Sequence, residues 1–113
     1  MHELSICESI VQTLASQAKV HEFSRVSVLR LEIGQFAGVE LEALKFCFPV
    51  VAMGTLAEDA RLEITTINGT GWCEQCQCSV NMEERFSPCP DCGVTGLPLS
   101  QGDEMRIANV EVE

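Results

Sequence analysis

The chain has no tyrosine and one tryptophan, and only 7 of its 113 residues are Lys or Arg. Against 17 Asp and Glu, this leaves a net charge of −10. A surface so poor in cations cannot replace phosphate counterions, which excludes wholesale binding to DNA, RNA or an anionic membrane. No apolar run approaches ~18 residues, so no membrane span is expected. No basic stretch followed by an apolar one opens the chain, which predicts no secretory signal and a cytoplasmic, reducing location. There is no Ser/His/Asp set and no phosphate loop, so an enzyme is not expected.

What is present is 46% apolar residues and seven cysteines. At this length the core is small: one domain, or one small domain with a stapled subdomain. An odd cysteine count would leave one thiol over in a fully paired disulfide framework. In a reducing compartment, clustered cysteines more often bind metal.

Residues 3–21 show helical periodicity. Leu4, Cys7, Val11, Leu14 and Ala18 form a stripe, widened by Ile10 and Ala15. Ser5 and Glu8 fit a capping box, with a start one turn earlier as the alternative. Residues 25–34 read as a strand whose alternation changes phase between Val28 and Leu29. A bulge, or burial of both faces, would explain that change. Residues 40–53 read as a second helix with a stripe of Leu41, Leu44, Phe48 and Val51, and Cys47 beside it. Pro49 predicts a kink or a restart there, because a mid-helix proline costs about 3 kcal/mol. Residues 60–67 and 104–112 read as strands.

Between those strands, 69–102 has a different character: five of the seven cysteines and three of the four prolines. The expected fold class is therefore α+β. Two helices pack on a small mixed β-sheet, and a zinc-ribbon-like β subdomain is inserted. The expected domains are 1–68 with 103–113, and 69–102.

Cys73-x-x-Cys76 and Cys89-x-x-Cys92 are separated by twelve residues. Two such knuckles can turn four thiolates toward one point, which suits tetrahedral Zn²⁺. Pro88 and Pro90 stiffen the second knuckle, and Gly93 permits the reversal after it. Disulfides and a rubredoxin-like iron site are the alternatives. A closed four-thiolate shell has no open position for substrate, so the expected zinc is structural. The segment holds Glu74, Glu83, Glu84 and Asp91 against Arg85 alone, unlike a phosphate-binding ribbon. Cys78 is either a bystander or a substitute ligand. Cys7 and Cys47 read as small core residues, and His21 as a solvated or capping residue near a helix end.

The amino terminus reads Met1-His2-Glu3. An exposed terminal histidine is usually just solvated. It can also clamp a metal. Methionine excision requires a small second residue, so His2 retains Met1. The terminal amine, the His2 amide nitrogen and the imidazole then close adjoining chelate rings, and Glu3 adds its backbone nitrogen or a carboxylate. Such nitrogen-rich sets suit Ni(II) or Cu(II), and they weaken as pH falls.

Met-His-Glu-Leu-Ser at the start, Leu31-Glu32-Ile33-Gly34, Phe46-Cys47-Phe48, the two CxxC knuckles and a terminal Ile-x-x-Val-Glu-Val occur in this order. Together they resemble the HypA/HybF family of hydrogenase-maturation nickel metallochaperones, over essentially the whole chain. The resemblance implies a nickel-binding α/β domain with an inserted zinc domain. It implies transported Ni(II) at Met1, His2 and Glu3, and structural Zn(II) at Cys73, Cys76, Cys89 and Cys92. It also implies cooperation with a HypB-type GTPase and delivery to the [NiFe]-hydrogenase large subunit; some members serve urease through its accessory proteins. Glu40 falls at a place that is often acidic in the family, near the nickel site. Histidines that flank the second knuckle in some members are missing here. A monomer and a homodimer both fit this reading. The competing one is a zinc-ribbon protein-interaction module without metal transport.

Overall fold

A computed structural model describes residues 2–113. The chain runs α1 (His2–His21), β1 (Val26–Gly34), α2 (Leu41–Ala52), β2 (Arg61–Ile67), β3 (Thr70–Cys73), β4 (Cys78–Asn81), β5 (Leu99–Gln101) and β6 (Met105–Val112). The described residues form two three-stranded sheets, ordered β2-β1-β6 and β4-β3-β5. No helix among the described residues is long and apolar enough to cross a membrane.

The first sheet is mixed. Arg25 and Glu113 exchange backbone hydrogen bonds, and Gly34 N–H donates to Glu104 O at the other end, so β6 runs antiparallel to β1. The Arg25 guanidinium reaches Glu58 O, Arg30 reaches Glu63, and Gln35 N–H reaches Ile67 O. Those pairings advance together, so β2 is parallel to β1, as the intervening α2 requires. The phase change in β1 reflects burial of both faces. Val26 and Val28 are buried on one phase, and Leu29, Leu31 and Ile33 on the other. This suits the central strand of the sheet.

Helix α1 starts at His2, a turn before the Ser5–Glu8 pair. Its buried stripe is Glu3, Cys7, Ile10 and Leu14. Leu4 and Ala15, expected on that stripe, are exposed. An acidic Glu3 in the first turn complements the positive end of the helix dipole. Helix α2 buries Leu44, Phe48 and Ala52 and packs against α1. It runs through Pro49 without restarting. The amide that proline lacks would have bonded the Lys45 carbonyl one turn back. Both residues are exposed, so water can take that carbonyl.

The chain forms two compact units. One comprises 1–31, 39–64 and 107–113, and the other 32–38 and 65–106. In the second, β3 pairs antiparallel with β4 and with β5. Its turn 34–38 is tied down by side chains that no periodicity marks. The Gln35 amide donates to Glu83 O (2.9 Å) and accepts from Gly69 N–H (2.8 Å). Arg85 donates to Phe36 O and stacks over the Phe36 ring at 5.8 Å. A Cβ on Gly69 would lie 2.0 Å from that ring, and one on Gly34 would lie 2.2 Å from Gly102 backbone. Only glycine permits these approaches.

Candidate metal centres

Cys73 ends β3 and Cys78 begins β4, directly opposite each other. The turn between them carries Cys76, whose N–H donates to Cys73 Sγ at 3.3 Å. Gln77 completes the turn at φ 54°, in the left-handed region. The second knuckle closes similarly. Gly93 N–H donates to Cys89 O (2.8 Å), and Cys89 N–H donates to Val94 O (2.9 Å). Gly93 takes φ 78°, which glycine adopts without strain.

These turns bring Cys73, Cys76, Cys89 and Cys92 together, with all four sulfurs within 4.8 Å of one another. Cys73 Sγ lies 3.6 Å from Cys92 Sγ, and Cys76 Sγ lies 3.9 Å from Cys89 Sγ. A tetrahedral Zn–S₄ unit with bonds of ~2.3 Å has sulfur–sulfur edges of about 3.8 Å. The four positions therefore fit such an ion. Cys73 and Cys89 are buried, whereas Cys92 is exposed. The N–H of Cys92, followed by that of Asp91, pulls the Cys89 thiol down to about 7 against the opposing effect of burial. Cys76 is pushed up, first by its sulfur hydrogen bond with Cys92 and then by that with Cys73. Cys78 is outside the four but packs against Cys73, Val80 and Cys89.

At the start of α1, the His2 imidazole is 62% exposed and Glu3 is buried. His2 Nδ1 lies 3.5 Å from Glu3 Oε2. The same oxygen accepts the Glu40 N–H at 3.0 Å, which chiefly holds the Glu3 carboxyl below its ordinary value. The Glu40 side chain caps α2, its Oε1 accepting from Glu42 N–H at 3.0 Å. Glu3 and Glu40 thus meet where α1 and α2 both begin. Met1 lies outside the described residues. The inward turn of Glu3 was not signalled by the sequence, since an acidic residue in a first turn is ordinarily solvated.

The remaining candidates take structural places. Cys7 is buried, its Sγ–H donates to Leu44 O (3.8 Å), and burial pushes its thiol up to about 11. Cys47 is half-buried on α2, and His21 is exposed at the end of α1.

A family model described as "Hydrogenase/urease nickel incorporation, metallochaperone, hypA" matches residues 1–112. "Hydrogenase maturation factor HypA" of Azotobacter vinelandii is 50% identical over 113 residues, covering 100% of both chains. The protein of that name from Methylocella silvestris is 46% identical over the same full span. Two solved structures share the fold. The solution structure of the Ni metallochaperone HypA from Helicobacter pylori has a TM-score of 0.71 and 20% identity, covering 97% of this chain and 96% of that one. A second, titled solution structure of HypA protein, has a TM-score of 0.74 and 21% identity, covering 100% and 97%.

Proposed function

The chain belongs to the HypA family of hydrogenase-maturation metallochaperones, and on that premise we propose that it carries Ni(II) at its amino terminus. The donors are the Met1 amine, the His2 amide nitrogen and imidazole, and Glu3. The observation that carries this reading is the exposed His2 imidazole, 3.5 Å from a Glu3 carboxylate fixed by Glu40 N–H. As the first residue of α1, His2 has an amide N–H with no partner inside the helix. It can be given up to a metal without breaking a helical bond, and the positive end of the dipole favours the anion left behind.

Zn(II) is the resident ion of Cys73, Cys76, Cys89 and Cys92. We assign 69–102 to the zinc-binding domain, and 1–68 with 103–113 to the nickel-binding domain. When bound, zinc would staple a segment with few buried aliphatic residues. A four-thiolate shell leaves it no vacant position for catalysis, so the protein acts as a carrier and not as an enzyme. The carrier works in the cytoplasm, with a HypB-type GTPase and the [NiFe]-hydrogenase large subunit as partners; urease is a second client class.

The test is calorimetric Ni(II) binding by the native chain, by His2→Ala, and by a chain extended by one residue before Met1. Both changes are expected to weaken binding strongly and leave the zinc content unchanged. Binding should also weaken as pH falls, because protons compete for the amine and the imidazole. Equal binding by all three chains would overturn the terminal clamp and favour an interaction module without transported metal.

A further inference from the structure

The fifth sulfur of the Cys-rich unit has a defined partner. Cys78 on β4 stands directly opposite Cys73 on β3 in the antiparallel register. Residues so placed leave the sheet on the same face. Their Cα atoms are about 4.5–5.5 Å apart, inside the range of about 4.4–6.8 Å that a disulfide spans. Cys78 packs on the same small cluster as Cys73, Val80 and Cys89. The two differ in access: Cys73 is 0% exposed, whereas Cys78 is only half-buried. Cys78 is also the sulfur that a four-ligand centre would leave uncommitted.

We propose that Cys78 is the entry point of a peroxide-sensitive, reversible zinc-release site, forming a disulfide with Cys73. The Cys78 thiolate attacks a peroxide oxygen. A sulfur–oxygen bond forms, the O–O bond breaks and hydroxide leaves, so Cys78 becomes a sulfenic acid. The Cys73 sulfur then attacks the Cys78 sulfur. The disulfide forms and a second hydroxide leaves, so two electrons have passed from two sulfurs to one peroxide. With Cys73 engaged, three of the four ligands remain, and the centre loosens its ion. A thiol reductant returns both sulfurs and restores the full set. The inference rests on the zinc reading above.

The experiment uses the full chain, with zinc counted first. Less than about one zinc per chain at that point, in reduced protein, overturns the zinc reading itself. Hydrogen peroxide is then added, zinc release is followed with a chromogenic chelator, and disulfides are mapped by mass spectrometry. The expected result is loss of the zinc together with a disulfide joining Cys73 to Cys78, both reversed by a dithiol and fresh zinc. Cys78→Ser is expected to hold its zinc equally well before peroxide and to lose it several-fold more slowly afterwards. Release from Cys78→Ser at the native rate would overturn the proposal. So would native disulfides joining Cys73 to Cys76 or Cys92 while Cys78 stays reduced.

Discussion

The two compact units are held by different forces. The first buries Ile10, Leu14, Leu29, Leu31, Leu44 and Phe48, an aliphatic and aromatic core of ordinary kind. The second buries Ile33 from β1 and, within its Cys-rich stretch, Val80 and Met82 beside Cys73 and Cys89. Its remaining order comes from the Gln35 clamp, the Arg85–Phe36 contact and close glycine approaches. A core of the first kind stands without an ion, so the terminal nickel site proposed above would fill and empty while the fold persists. On the zinc assignment proposed above, the second kind would need its ion to remain folded, which suits a resident metal and not a transported one.

The comparison breaks most sharply at a single thiolate. Cys89→Ser should abolish zinc retention, since structural zinc binding in small peptides is worth roughly 10–16 kcal/mol at neutral pH. Amide exchange should then show protection lost across β3, β4 and β5 while α1 and α2 keep theirs. Protection that survived in β3 would mean that the second unit has a core of its own.

Phe48→Ala is the counterpart in the first unit. Emptying a side chain that is 2% exposed should cost about 3–5 kcal/mol, read as a lower urea midpoint. The zinc content of the folded variant should not change.

The smallest effect concerns Glu3. Its folded carboxyl titrates below the ordinary value of 4.5, chiefly through the Glu40 N–H. Above that ordinary value it is ionised whether the chain is folded or unfolded, and its contribution is fully present. As pH falls below 4.5 and through the lowered folded value, that contribution is lost. The native chain should therefore exceed Glu3→Gln in urea midpoint at neutral pH, and the gap should close on acidification.

The long elements were legible because their burial is periodic. Residues 3–21, 25–34 and 40–53 lie within two residues of α1, β1 and α2. The strands β3, β4 and β5 are three or four residues long and include Gly71, so no alternation could mark them individually. Knuckle spacing pointed to the four cysteines that the fold gathers, because each chelating turn is encoded locally. The links to Gln35, Arg85 and Glu40 were not legible. Each joins a single polar group to residues more than thirty positions away, and such a pairing leaves no repeat in a sequence.

Strand β6 completes the first sheet by pairing with β1, and Glu113 exchanges hydrogen bonds with Arg25. That fixes an order in time. A ribosome makes both CxxC knuckles before it makes the strand that closes this sheet. Throughout that interval one edge of β1 lacks its final neighbour. The unit built on α1 and α2 is thus closed by a strand made after both knuckles, and until then an open edge of β1 is available to a wrong neighbour.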